Sequence, residues 1–365
     1  MSAHAKLSPS SAHRWLNCPG SIHAEKSYEN TDSIHSLEGT KAHEVAEWCL
    51  NNHKDTDWPD LPFDIKDDQE MVQYVQEYVD YVRTFYHKRS TVEVEVRLDL
   101  SKYVPQSFGT ADAIVMDVKA KTLHVIDLKY GKGVMVSAKG NDQLRLYALG
   151  AYQKYKDDTE IEYVHCHIVQ PRKYNYDCEE LTVKELKKYG KSVKPRAKLA
   201  TQEDAPRAPG EKQCQWCKAK ADCPALFDFT NKVVGGEFDN LDEAKLDDEA
   251  KRMLLDNEKL ISSFISAIRE QVTERLLMGE EFPGYKIVEG RSTRQWQDGT
   301  EEKMVEAIGE DAYTKKLIGV TAALKLIGKE FVDTNTYKPP GKPTLAHESD
   351  KRVAFVSTKE LFDKE

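Results

Sequence analysis

Apolar and polar positions alternate with a period of two near residues 91–99, 110–118 and 122–129, and each stretch is predicted to be a strand. Lys119-Ala-Lys-Thr122 is short enough to close a hairpin between the last two, so the three form a meander. Before them the spacing is helical. Helices are expected over 38–53 and 67–89, the second with Met71, Val72, Val75, Tyr78, Val79 and Val82 on its apolar side. Ser8 and Pro9 mark an earlier helix start as cap and first-turn residue. After the meander, 140–156 reads as a helix, 161–169 as a fourth strand and 201–210 as a loop. Residues 244–278 then carry a long helical pattern whose apolar stripe runs through Leu254, Leu255, Ile261, Phe264, Ile265, Ile268, Val272 and Leu276. A strand over 284–296, short helices near 300–309 and 320–328, a proline-rich loop at 338–343 and a tail complete the chain, without repeats or low-complexity segments.

The order α-β-β-β-α-β predicts an α/β domain over residues 1–235, with a mixed central sheet flanked by helices. Residues 236–365 form a mainly helical accessory region. At 365 residues the chain is long enough to bury a sizeable core. No apolar run approaches the roughly 18–20 residues needed to cross a bilayer, and the N-terminal stretch lacks the apolar core of a secretory leader, so no membrane partner and a cytoplasmic location are expected. The net charge of −9 opposes nucleic-acid binding on average, but the acidic excess sits largely beyond Gly236. Residues 184–198, with Lys187, Lys188 and Lys191, are strongly basic: either a surface for a phosphate backbone or the solvated face of an amphipathic helix.

Candidate chemistry concentrates in the meander. Val125, Asp127 and Lys129 share one face of the third strand and Ile126, Leu128 and Tyr130 the other. The hairpin brings Asp112, beside the apolar run Ala113 to Met116, next to Asp127. Two carboxylates and a lysine then converge, a set suited to a hard divalent cation and a phosphate; on their own, Asp127 and Lys129 read more readily as an exposed ion pair. Gln143 and Tyr147 are four apart in the following helix and lie on one side of it. Glu95 is either a further acidic ligand or, alternating with Glu93 and Arg97, part of an exposed strand face.

Seven cysteines and no leader argue against a disulfide framework. Cys214, Cys217 and Cys223 cluster in one turn and Cys18 precedes a proline near the N-terminus, a thiolate set for which spacing alone leaves iron–sulfur and zinc both open. Cys49, Cys166 and Cys178 read as ordinary buried or surface residues.

Gly109-Thr-Ala-Asp112, Ile126-Asp-Leu-Lys129, Gln143-x-x-x-Tyr147 and His43 on an upstream helix, in that set, resemble the active-site core of the PD-(D/E)XK nuclease superfamily, in particular its RecB-like exonuclease branch. The resemblance implies a restriction-endonuclease-like core. It implies Mg²⁺ or Mn²⁺ held by His43, Asp112, Asp127 and the Leu128 carbonyl, possible participation of Glu95, a catalytic Lys129, and Gln143 and Tyr147 as active-site support. Asp127 stands where many members have Glu. Cys18 with the Cys214, Cys217 and Cys223 triplet resembles the arrangement that holds a [4Fe–4S] cluster as a staple in this branch. Residues beyond 236 resemble the C-terminal extension of a phage-encoded branch, where Arg291, Arg294 and Trp296 either grip single-stranded DNA or belong to a structural cap or protomer contact. The implied activity is metal-dependent exonuclease action on linear DNA in recombination or phage DNA processing, in the bacterial host's cytoplasm, with DNA and a single-strand annealing protein or helicase as partners. The alternative is a non-catalytic DNA-binding or assembly subunit that keeps the fold.

Overall fold

A computed structural model of the chain describes residues 5–28, 34–66, 68–234, 248–288, 300–313, 319–320 and 328–336. Helices α1 (Ile34–Asn52) and α2 (Gln69–Arg83) precede strands β1 (Ser90–Asp99), β2 (Phe108–Asp117) and β3 (Thr122–Leu128). Helix α3 (Asp142–Tyr155) crosses to β4 (Tyr163–Gln170), which returns through β5 (Asn175–Thr182) into helix α4 (Val183–Ala200). The five strands lie in the order β1-β2-β3-β4-β5, all neighbours antiparallel except β3 and β4. This is the mixed sheet flanked by helices that the patterning predicts. The parallel pair is a consequence of α3, since a parallel return needs a crossover.

Helix starts are specified locally. The Asp68 carboxylate accepts from the Met71 N–H at 3.0 Å and Asn141 from Leu144 at 3.2 Å, while Thr182 and Glu185 form a reciprocal capping box at α4. Helix α2 stops at Arg83, short of the expected 89, where Thr84, Phe85 and Tyr86 turn back onto the helix through backbone bonds.

The sheet separates two apolar layers. Ile114, Met116, Leu123 and Val125 pack with α3 and α4; Ala113, Val115, Ile126 and Leu128 pack with α1 and α2. Strand β3 is buried at every position, as expected of a strand covered on both faces. Burying each Leu or Ile side chain there contributes about 1.5–3 kcal/mol.

Strand β5 was not anticipated. Its sequence carries Asp177, Glu179 and Glu180, which dilute the apolar alternation. Glu179 is nevertheless buried, because Arg145 of α3 donates to its two carboxylate oxygens at 2.7 and 2.6 Å.

The chain consists of two compact units, Met1–Met278 and Gly279–Glu365. The expected boundary at 235/236 falls at the start of residues 235–247, which lie outside the described set. Helix α5 (Pro224–Val234) and the long helix α6 (Asp248–Leu277) belong to the first unit. On α6 the buried row is Leu260 and Phe264, followed by the half-buried Ile268, while Leu255 and Ile265 of the expected stripe are exposed. The second unit contains α7 (Thr300–Ile308) and α8 (Lys329–Asn335); Tyr285 to Val288 are not in a strand, and the rest of the expected strand and most of the 320–328 helix lie outside the described residues. Among the described residues, no helix is long and apolar enough to cross a membrane.

Gly150 marks the tightest approach of α3 to the sheet. A Cβ there would meet Leu98 Cβ and Leu100 Cδ2 at 2.9 Å, and the first of these is fixed to the backbone of β1. Overpacking costs about 1–3 kcal/mol, against a helix-propensity gain of about 1 kcal/mol for Gly→Ala. Gly150→Ala is therefore expected to lower the urea-unfolding free energy by up to about 2 kcal/mol; a more stable variant would refute this packing account.

Candidate functional site

The site forms where β1, β2 and β3 pass between α1 and α3. The Leu128 N–H donates to Asp112 Oδ2 at 2.7 Å, which pins the carboxylate of β2 to the end of β3. His43 Nδ1, from α1, lies 3.4 Å from the same oxygen. Ligand atoms of His43, Glu95 and Asp112 all fall within 4.8 Å of one another, so Glu95 joins the site and is not simply a strand-surface residue.

Glu95 enters through an unusual backbone. Its φ is 50°, in the left-handed region that a non-glycine residue rarely adopts mid-strand. The consequence is visible in the packing: Val92 and Val94 contact the α1–α2 layer, whereas Val96 and Leu98 belong to the α3–α4 layer. Even-numbered side chains thus change faces at Glu95. Asp112 sits between Ala113 and Ala111, the β2 partners of Val94 and Val96, so the two carboxylates occupy the rung where the face changes.

Asp127 lies in the buried strand with its side chain only 3% exposed, and Lys129 Nζ approaches its Oδ2 at 2.8 Å. That oxygen is buried and accepts no hydrogen bond of regular geometry. Lys129 is held by its own N–H to the Val169 carbonyl at 2.8 Å. Its ammonium also donates to Gln143 Oε1 at 3.0 Å, and Gln143 Nε2 donates to the Tyr147 hydroxyl at 3.2 Å. The expected helix pair and strand pair therefore form one connected chain. Gly109 makes room for it: a Cβ there would lie 2.6 Å from Tyr147 Cε1 and 2.7 Å from Pro9 Cγ. The Leu128 carbonyl belongs to the residue whose N–H holds Asp112.

Charge is concentrated and incompletely balanced. Burial pushes the His43 imidazole down, but the Asp112 carboxylate overrides it and lifts the group to about 9. Burial raises Asp112, yet His43, Lys129 and the Leu128 N–H together hold it below the usual carboxylate range. At Asp127 burial prevails over the pull of Lys129 and the carboxyl is raised. Lys129 is lowered by burial and lifted more strongly by Asp127 and Asp112, so it remains an ammonium. Burial, then the charge of Asp112, pushes Glu95 up to about 7. Three carboxylates thus face one ammonium and one imidazole, and the donors are mostly hard oxygens, which fits a divalent cation such as Mg²⁺ or Mn²⁺.

Tyr78 is a neighbour that sequence reasoning placed only in an apolar stripe. Its buried hydroxyl has no hydrogen-bond partner among the described residues, and it feels the charges of Asp112, Asp127 and Glu95. The available signal was the residue type: a buried tyrosine brings a polar handle that a valine would not.

The cysteines gather separately. Cys18, Cys214, Cys217 and Cys223 line one pocket, together with Arg207 and Lys220. The Ala208 N–H points at Cys18 Sγ at 3.3 Å and the Gly210 N–H at Cys214 Sγ at 3.5 Å. Among the described residues, no three of these sulfurs are in a group whose ligand atoms come within 4.8 Å of one another. Burial raises the Cys18 and Cys214 thiols and pushes Cys217 up to about 12. Polar ties join the N-terminal segment to the cysteine turn: Arg14 Nε lies 3.0 Å from Glu25 Oε2, the Lys218 N–H donates to Glu25 Oε1 at 2.8 Å, and the Tyr28 hydroxyl donates to Asp222 Oδ2 at 2.6 Å.

Lys187, Lys188 and Lys191 are exposed on α4, whose opposite side buries Leu186, Gly190, Val193 and Ala197. The basic run is thus one face of an amphipathic helix. Arg291, Arg294 and Trp296 lie outside the described residues.

The profile of a family described as a protein of unknown function, DUF2800, matches residues 4–353, and the chain belongs to that family.

If Glu95 helps hold a cation, removing its charge should act oppositely with and without metal. In chelator-treated protein, Glu95→Gln is expected to melt higher than wild type, by a margin on the order of 1 kcal/mol, because it relieves repulsion from Asp112. Mn²⁺ should raise the melting temperature of wild type more than that of the variant. Equal shifts in a thermal-unfolding titration would remove Glu95 from the metal site.

Proposed function

We propose that this chain is a divalent-metal-dependent deoxyribonuclease of the RecB-like PD-(D/E)XK type, built on a restriction-endonuclease-like core and acting as an exonuclease on linear DNA. The observation that carries the reading is the convergence of His43, Glu95 and Asp112 within 4.8 Å beside the Asp127–Lys129 pair. All of these except Glu95 carry the motif resemblance, and with Glu95 they come from α1, β1, β2 and the end of β3.

His43, Asp112 and Asp127, with Glu95, would hold the cation, which supplies Lewis-acid charge to a scissile phosphate. The unbalanced carboxylates and the Asp127 oxygen without a regular hydrogen bond fit that assignment. Lys129, beside Asp127, would orient or deprotonate the attacking water and offset negative charge developing on the phosphate. Gln143 fixes the ammonium, and Tyr147 fixes Gln143. The lysine face of α4, with Lys187, Lys188 and Lys191, is the basic surface we assign to the DNA backbone. The setting in recombination or phage DNA processing, with an annealing protein or helicase as partner, rests on the motif resemblance.

The four-cysteine pocket offers four thiolates, which suit a [4Fe–4S] cluster or Zn²⁺ alike. The assignment of a [4Fe–4S] cluster rests on the motif resemblance. Backbone N–H groups directed at Cys18 and Cys214 are the kind of contact that tunes such sulfurs. The cluster would staple the N-terminal segment to the cysteine turn.

Incubating the protein with end-labelled linear DNA and with closed circular DNA in Mn²⁺ tests the activity. Linear DNA should be degraded, and Asp127→Ala and Lys129→Met should each slow degradation by about 10²–10⁴-fold. Full activity in Asp127→Ala, or no cleavage by wild type, would favour the alternative of a binding or assembly subunit. Protein purified anaerobically should be brown, with visible absorbance bleached by a strong reductant and lost in Cys18→Ser; a colourless preparation containing stoichiometric zinc would replace the cluster by zinc.

A further inference from the structure

A separate group of nitrogen donors lies towards the start of β3, on the face opposite Asp127. Parallel pairing sets His124 beside His165 and Ile126 beside His167. The two-residue period then turns all three imidazoles to one side of the sheet. One nitrogen from each lies within 4.8 Å of the other two. His124 Nδ1 and His167 Nε2 are 3.0 Å apart. Phe85, just beyond α2, covers both rings at centroid distances of 4.4 and 5.0 Å. Cys178 of β5, the register partner of His167, places its Sγ 3.9 Å from His167 Nε2.

The geometry points to a structural transition-metal site of the zinc class, formed by His124, His165 and His167, with Cys178 as the adjoining thiol. Tetrahedral Zn²⁺ at Zn–N distances of about 2.0–2.1 Å needs nitrogens about 3.3 Å apart, close to the 3.0 Å between His124 and His167. The Tyr81 hydroxyl lies 3.0 Å from His167 Nδ1. By accepting the proton of Nδ1–H it leaves Nε2 as a lone pair aimed into the group, the outer contact that orients a ligating histidine. Burial keeps His124 and His167 neutral, and the proton that His124 Nδ1 donates to His167 Nε2 at 3.0 Å would be released from Nδ1 on metal binding, freeing both nitrogens as ligands. Imidazole donors select against Mg²⁺, which prefers oxygen. The site is therefore chemically distinct from the carboxylate site, and it does not depend on the nuclease reading. A bound ion would tie β3 to β4 and, through Tyr81, to α2.

Full-length protein stripped with a chelator and titrated with Zn²⁺ against a chromophoric chelator, in excess Mg²⁺, tests the site. His165→Ala, whose ring is half-exposed, is expected to bind one zinc fewer per chain than wild type. Tyr81→Phe should keep the zinc with affinity about 10–100-fold weaker. Equal zinc stoichiometry and affinity in wild type and His165→Ala would overturn the site. X-ray absorption at the zinc edge of loaded wild type reads it without any variant: nitrogen scatterers with the outer-shell signature of imidazole are expected, and a first shell of sulfur alone would overturn it.

Discussion

Asp127 is a carboxylate in the most buried strand of the sheet, and the surroundings of the site follow from holding it there. Taking one ion out of water costs several kcal/mol unless an opposite charge and hydrogen bonds accompany it. Lys129 supplies the charge, and it can do so only because its backbone continues the line of β3 through the bond to Val169. Gln143 then orients the ammonium and Tyr147 orients Gln143, which fixes the rotation of α3 against the sheet. Gly109 and Gly150 lie where this close docking leaves no space for a Cβ. The pair does not neutralise the site fully, because Asp112 and Glu95 add negative charge from the adjacent strands.

The same region is where side chains of β1 change faces. A sheet that kept strict alternation through Glu95 would present it with Glu93 and Arg97, away from His43. The left-handed conformation costs of order 1–3 kcal/mol and turns the carboxylate toward Asp112. Strain at this position is thus tied to the convergence of Glu95 with His43 and Asp112.

Three kinds of donor occupy three places in the first unit: carboxylate oxygens with one imidazole at the sheet's central rung, thiols in the pocket between the N-terminal segment and the cysteine turn, and imidazoles on β3 and β4. Each set differs in softness, so each prefers a different class of metal. The cysteine pocket is also a packing junction. Leu260 and Phe264 of α6 bury against Cys214 and Leu226, which places α6 with the first unit.

Periodicity determined helices α1, α2, α3, α6 and α7, the first four strands and the two faces of β3, because apolar spacing directly reflects which side of an element is buried; α5 and α8 were not anticipated. Motif spacing likewise determined that His43, Asp112, Asp127, Lys129, Gln143 and Tyr147 merit being considered together. The sequence could not settle what depends on partners distant along the chain. On the edge strand β5 the buried Glu179 is compensated by Arg145, and that pair spans two elements. Glu95 sits in an unbroken Val-Glu-Val-Glu-Val alternation, so its left-handed backbone leaves no local trace. His124, His165 and His167 occupy two separate strands whose parallel register is set by the α3 crossover. Local pattern decides which side of an element faces inward; only tertiary packing decides which charges meet there, since electrostatic balance is a property of neighbours in space.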